Sequence, residues 1–392
     1  MQPEFVRMPE GTGIENYRVV YGDPALAAAA ETLCAGIAEA TGFRPEAVSD
    51  QGEPTAFEIL LGNTNRPESE AAGTPDYLHY AVQAVGAKLV VKTGGEHSMY
   101  RLASDLTGLL RGEYPLRGGY VNDPDGMPRT GGTDLRGMSL NILAEWENYG
   151  GGASPVSRRK EIFFSMLDRR APDVVGVQEM SPSWFKALAD YRNADRWDVL
   201  KFPNPVEECY RNEYVYSTVM YRKDRYDLLD SGSQYYSKYN NRRCRCFTWA
   251  LLRDRTSGKT FCYVSTHWDG EVSNSPNASV QVAEEIAFVN RMADNYPVIT
   301  TGDYNSNEWT NSFKTFLAGT DSADAKYAAA ERVNNIGSWH GFGKDTPSVG
   351  SCDHLTVTNR NLRVLKFETF LRNEQIYCSD HAWLIADLQI LP

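Results

Sequence analysis

The chain has 392 residues, 42% of them hydrophobic and 11% aromatic, which is too long for one ordinary core and too apolar for wholesale disorder. Forty basic residues against 51 acidic ones leave a formal charge of −11, which disfavours a protein that coats nucleic acid by charge alone and suits one that gathers divalent cations; a local basic patch stays open. No apolar run approaches the roughly 20 residues of a membrane helix, and the Met1 end lacks a signal-peptide pattern, which leaves the cytoplasm, or secretion with a leader missing from this sequence.

The first 114 residues read as a small α/β domain. Tyr17–Tyr21 is strand-like, and Asp23-Pro24 opens an alanine-rich helix that runs to about Ala40 and stops at Thr41-Gly42. Phe57–Leu61, Tyr80–Ala84 and Leu89–Lys92 are further strands, the last two joined by a turn at Gly86-Ala87. Glu96–Leu110 carries a helical apolar stripe. His79 and His97 read as surface or packing residues. Residues 115–133 are expected to be a linker, in a stretch from Arg111 to Asp134 with six glycines and three prolines.

Residues 134–392 form the second expected domain. Leu135–Ile142 reads as a strand, Arg158–Arg170 as an amphipathic helix, and Val174–Val177 as a strand buried on both faces. Strands recur at Ser217–Tyr221, Cys246–Arg253, Thr260–Thr266, Val298–Thr301, His354–Thr358 and Ala382–Leu388, with a long helix from about Ala278 to Asn295. The fold class is therefore α/β: a four-layer sandwich of two stacked, mostly antiparallel β-sheets flanked by helices, preceded by the small α/β domain. The seven cysteines are scattered without CxxC repeats, so reduced thiols are expected rather than structural zinc.

The chemistry gathers where polar residues end the apolar strands. Val174–Val177 runs into Gln178-Glu179, Phe261–Thr266 into His267-Trp268-Asp269, Val298–Gly302 into Asp303-Tyr304-Asn305, and Ser379-Asp380-His381 leads into Ala382. Strand ends are where a rigid scaffold presents reactive groups. Four of the six histidines lie in the last third of the chain. Glu179, with amides such as Asn141 and Asn305 nearby, offers hard oxygen ligands suited to Mg²⁺ or Mn²⁺. His381 beside Asp380, and His267 near Asp269, suit a proton donor or a cation facing phosphate. Asp303 suits a water-activating base. Together these point to metal-assisted phosphoester hydrolysis.

Eight segments in order over about residues 134–392 resemble the endonuclease/exonuclease/phosphatase (DNase I-like) superfamily, and its bacterial members in particular. They are Ser139–Asn141, Val177–Glu179, Glu213-Tyr214 ahead of Val219–Arg222, Arg245–Ala250, Ser265–Asp269, Gly302–Asn305, Cys352–His354 and Ser379–His381. The resemblance implies Glu179 as principal metal ligand, supported by Asn141. It implies that Asp303 orients or deprotonates water, and that Asn305 holds the phosphate. His267, oriented by Glu213, would sit near the leaving oxygen; His381, held by Asp380, would stabilise charge on phosphorus; Asp353 would complete the metal and phosphate rim. Arg245 belongs at the substrate side or supports the site through a salt bridge. His354 departs from the usual Tyr or Arg, Trp268 from Leu and Tyr304 from Phe. Arg242-Arg243-Cys244-Arg245 reads as a solvated edge before a nucleic-acid patch, and Trp339 and Phe342 wall the pocket or pack.

The N-terminal part resembles the small non-catalytic α/β domain that precedes some glycoside hydrolase barrels, through Glu58–Gly62, Lys88–Lys92 and Gly94-Gly95 before Tyr100–Ala103. That resemblance implies contact with a carbohydrate or with the catalytic domain. The expected activity is cleavage of a small, sugar- or lipid-linked phosphoester. The alternatives are a Mg²⁺-dependent nuclease of the same fold and a binding protein that has lost catalysis.

Overall fold

The computed structural model describes residues 4–6, 13–71, 80–93, 102, 116–118, 129–146, 154–204, 214–239, 245–270, 276–333, 337–342, 351–370 and 377–391. The chain divides into two compact units, Met1–Met127 with Glu161–Arg169, and Pro128–Lys160 with Arg170–Pro392. No helix among the described residues is long and apolar enough to cross a membrane. The five described cysteines, Cys34, Cys246, Cys262, Cys352 and Cys378, are free thiols.

In the first unit, β1 (Glu4–Val6) pairs with β7 (Leu116–Gly118). A separate five-stranded sheet has the order β3 (Ala47–Ser49), β2 (Arg18–Tyr21), β4 (Glu58–Leu61), β6 (Lys88–Thr93), β5 (Tyr80–Val85). The Asp23 carboxylate accepts the Ala25 N–H at 2.9 Å, and the helix Ala27–Thr41 follows, ending at Gly42 with φ +76°. Its stripe of Ala30, Leu33, Cys34 and Ile37 packs with Val19, Ile59, Leu61 and Val91 of the sheet. Glu58 is buried, yet ion-paired with Arg18 at 2.7 Å, Arg66 at 3.2 Å and Lys88 at 3.1 Å. The short β3 was not expected from the sequence. The expected helix Glu96–Leu110 and most of the expected linker lie outside the described residues.

The second unit holds two larger sheets. One has seven strands: β10 (Trp197–Val199), β11 (Thr218–Arg222), β9 (Val174–Gln178), β8 (Leu135–Asn141), β20 (Trp383–Ile390), β19 (Leu362–Phe370), β17 (Glu331–Val333). The other has six: β12 (Tyr226–Tyr235), β13 (Cys246–Asp254), β14 (Thr260–His267), β15 (Val298–Asp303), β18 (Asp353–Thr358), β16 (Ser322–Asp324). Neighbours are antiparallel except β8–β9, β14–β15 and β17–β19. The sheets stack through one core in which Leu135, Val174, Val219 and Leu384 of the first meet Leu252, Tyr263, Ile299 and Leu355 of the second. The approach is close at Gly176, where an added Cβ would run into Thr301 Oγ1. On the outer face of the six-stranded sheet, helices Ala278–Ala293 and Asn311–Gly319 bury Val282, Phe288, Val289, Phe313 and Phe316 against Phe247, Cys262 and Val264. Trp268 and Tyr304 join that cluster as an edge-to-face pair 4.5 Å apart.

Topology gathers the strand ends. Parallel β8 and β9 finish together at Asn141 and Gln178, and parallel β14 and β15 at His267 and Asp303. Antiparallel β18 begins at Asp353, directly opposite Asp303. β20 runs antiparallel to β8 with Leu384 opposite Ser139, so Ser379–His381 arrive at the end of β8 marked by Asn141.

Candidate active site

Asp303 is the hub of this rim. Its Oδ2 lies 3.0 Å from Asn141 Nδ2, 3.3 Å from His267 Nε2 and 3.9 Å from His381 Nε2, while Oδ1 accepts the Asn305 N–H at 2.9 Å. Asn141 also donates to Glu179 Oε1 at 3.3 Å, and the other Glu179 oxygen accepts the Ala144 N–H at 3.1 Å. Both Glu179 (φ +61°) and Asn305 (φ +45°) sit just past a strand end in the left-handed region. Such a conformation is unfavourable for a side chain and persists where the surroundings over-determine it. At Glu179 it is held by the Ala144 contact.

The two histidines differ in charge. Burial disfavours the cation on His381, but the carboxylates of Asp353 and Asp380 outweigh it and hold the pKa well above 6.5. Burial and the neighbouring Arg245 push His267 the other way, towards neutral imidazole, against Asp303. Burial opposes the charge on Asp303 too, yet the imidazoles of His267 and His381 keep its carboxyl far below the ordinary range. A neutral His267 still favours that anion when its Nε2 carries the proton. The His267 ring stacks on Tyr216, centroids 6.1 Å apart, and Tyr216 on Trp146.

The structure changes several expected partnerships. His381 is oriented by Asp353, 2.7 Å from its Nδ1, rather than by Asp380, which is 4.0 Å from Nε2. Asp380 instead accepts hydrogen bonds at its backbone oxygen from His340 and Gly341, and Trp339 bonds its side chain. Asp269 turns away from His267, pairing with Arg245 at 3.2 Å and with Gln281 and Asn277. Arg245 is thereby buried in a salt bridge rather than presented to a substrate. Asn305 Nδ2 donates to the Trp268 carbonyl at 2.9 Å and lies 3.2 Å from His267 Nε2. Asn141 offers its amide nitrogen to the carboxylates, its oxygen being taken by the Leu143 N–H. His354 points off the rim, between Asp324 and the Ser306 carbonyl. Glu213 and Arg242–Cys244 lie outside the described residues, and His267 Nδ1 has no partner among those described.

Three further residues contribute whose roles were not assigned from the sequence. Ser338 Oγ accepts the Cys352 and Asp353 N–H groups, and Ser379 Oγ donates to the Asn141 carbonyl and accepts the His381 N–H. Arg159, buried, donates to the Ile142, Leu143 and Cys378 carbonyls and ties together the loops that follow β8 and precede β20. Its signal was a charge three residues before Ile162 on the inward stripe of a helix. Trp339, 46% exposed, pairs through its backbone with His381, so an aromatic face borders the rim.

A divalent cation fits this donor set. Glu179 is a carboxylate at the rim, and Asp353 Oδ1 is a buried acceptor with no partner among the described residues; hard oxygens of this kind suit Mg²⁺ or Mn²⁺. Cys352, Asp353 and His381 also lie within mutual reach, but burial and Asp353 push the Cys352 thiol up to about 12, so it stays protonated.

Comparison with known proteins agrees with the fold. The chain is 23% identical over 306 residues to Nocturnin of Drosophila melanogaster, a match over 67% of this chain that spans 47% of the relative's length. An endonuclease/exonuclease/phosphatase from Bacteroides vulgatus superposes with a TM-score of 0.57 and 23% identity, over 66% of this chain and 99% of the other. A mannosyl-6-phosphatase from Bacteroides thetaiotaomicron gives 0.54 and 19%, over 65% and 99%. The profile of the Endonuclease/Exonuclease/phosphatase family matches residues 138–381, more than half of the chain, and the chain belongs to that family.

Proposed function

We propose that the protein is a divalent-metal-dependent hydrolase of a small, sugar- or lipid-linked phosphoester. The observation that carries this reading is the convergence of Asn141, His267 and His381 on one carboxylate oxygen of Asp303. Glu179 would hold the metal, which when bound neutralises phosphate oxygens and favours ionisation of water. Asp303, too acidic to be a strong base, orients the attacking water. Neutral His267, 3.3 Å away, donates its Nε2–H to Asp303 and so holds that carboxylate where the water must sit. The water oxygen bonds to phosphorus as the ester P–O bond breaks, the proton that water loses passes to the departing ester oxygen, and cationic His381, held by Asp353, donates to the phosphoryl oxygens as their charge grows. Asn305 steadies this arrangement through Asp303 and the Trp268 carbonyl, and Asp380 adds negative charge near His381. The net charge of −11 favours a small substrate over a polynucleotide.

The test is a panel of phosphomonoesters, phosphodiesters and plasmid DNA with Mg²⁺ or Mn²⁺, repeated with EDTA. Turnover of a small ester that EDTA abolishes is expected. Rapid cutting of DNA would move the assignment to a nuclease, and turnover indifferent to EDTA would overturn it. Glu179→Ala and Asp303→Ala should each lower kcat by about 10²- to 10⁴-fold.

A further inference from the structure

β14 ends at Thr266-His267 and Trp268 follows. Alternation along a strand sends His267 to the rim and its two neighbours to the opposite face, where helix Ala278–Ala293 packs. There Glu285, fully buried, gathers three donors on Oε2: Thr266 Oγ1 at 2.9 Å, Trp268 Nε1 at 2.6 Å, and the Tyr236 hydroxyl. Tyr236 in turn lies 2.6 Å from Thr266 Oγ1 and 3.0 Å from Trp268 Nε1, which closes the network. The position belongs to the helix's inward stripe with Val282, Phe288 and Val289, where packing alone calls for an apolar side chain. A buried carboxyl is unfavourable there unless its hydrogen bonds serve something.

Resting on the phosphoesterase reading above, we infer that Glu285 is a positioning residue for His267: it grips the residues on either side of the imidazole from behind and so sets where the ring meets Asp303. The titratable groups facing it are the phenols of Tyr236 and Tyr304, both held neutral by burial and by Glu285 itself. Glu284, its neighbour on the helix, turns away to Ser237. Among the described residues no cation acts on Glu285, and burial pushes its carboxyl up to about 7 against the three donors. Ionised acceptors make the shorter, stronger bonds, so the grip tightens as pH rises through neutrality.

The experiment pairs kinetics with an NMR readout of His267, its ring resonances assigned by their loss in His267→Ala. In Glu285→Ala those resonances should move, and kcat should fall about 10- to 100-fold with KM within about twofold, as a misplaced catalytic group implies. Glu285→Gln, whose amide oxygen still accepts, should restore the resonance positions and most of kcat while removing any neutral-pH inflection in kcat carried by this carboxyl. If Glu285→Ala does not fold, Thr266→Val and Trp268→Phe each remove one donor and should move the same resonances. Unmoved His267 resonances in a folded variant, or a glutamine variant as impaired as alanine, would overturn the inference. Should the native protein turn over no phosphoester, the functional reading fails and the resonances alone decide the role of Glu285.

Discussion

The Asp353–His381 pair shows how one contact sets chemistry. The charged form of His381 is kept through neutral pH by Asp353 and Asp380 against burial, so a rate that needs this cation is flat there and falls only in alkali. Asp353→Asn removes the nearer anion, and proton loss returns towards the ordinary 6.5. The expected outcome is a fall in kcat between about pH 6 and 8 that the native enzyme lacks, read from parallel pH–rate profiles; superimposable profiles would remove the role given to Asp353. This partnership was not legible in the sequence, where His381 follows Asp380 directly. Successive residues diverge, and the Asp380 backbone is drawn to His340 and Gly341 while Asp353 arrives from the start of β18. Only the register between β15 and β18, which no local pattern reveals, brings Asp353 to the imidazole.

At the scale of elements, strands buried on both faces were the readable part. Val174–Val177 and Val298–Thr301 are continuous apolar or β-branched runs, and the point where each turns polar placed Glu179 and Asp303 at the rim. β12 was unreadable because it is an edge strand whose middle, Leu228-Leu229-Asp230, is exposed around a register shift, so neither alternation nor a continuous run marks it. β19 was missed for a related reason: its alternation breaks at the register shift between Val364 and Lys366. Gly176 carries a sharper consequence of stacking. Thr301 Oγ1 is fixed by the Val264 carbonyl at 2.7 Å and cannot swing aside cheaply, so Gly176→Ala should destabilise the second unit by about 1–3 kcal/mol. Urea unfolding measures the loss, and Thr301→Ala in the same chain should recover part of it, because the clash is between those two side chains.

For the molecule as a whole, two buried glutamates, one in each unit, should respond to pH with opposite signs. Burial raises the Glu58 pKa, but Arg18, the Thr55 N–H, Arg66 and Lys88 outweigh it and bring it down to about 2 from 4.5; the resulting stability is complete above 4.5 and is lost as pH falls towards 2. Glu285 is shifted up, to about 7 from 4.5, so it favours folding most below 4.5 and loses that advantage as pH rises to 7. Each shift corresponds to an effect on the order of 3 kcal/mol. Calorimetry of the native protein beside each variant should therefore show the contribution of Glu58 fading in acid and that of Glu285 growing between pH 7 and 5. Glu58→Gln should flatten the first response and Glu285→Gln the second; curves unchanged by either variant would refute the assignment.

The place of β20 bears on how the protein is made. This strand, the last of its sheet to leave the ribosome, lies in the interior of that sheet between β8 and β19, and Arg136 of β8 waits for Asp387, to which it pairs at 2.6 Å across 251 residues. Until those residues emerge, the nascent chain carries two unsatisfied strand edges and a guanidinium without its carboxylate of β20, the condition in which chaperones are engaged and intermolecular pairing begins. A stop codon ahead of Trp383 would therefore yield insoluble protein rather than a shortened enzyme.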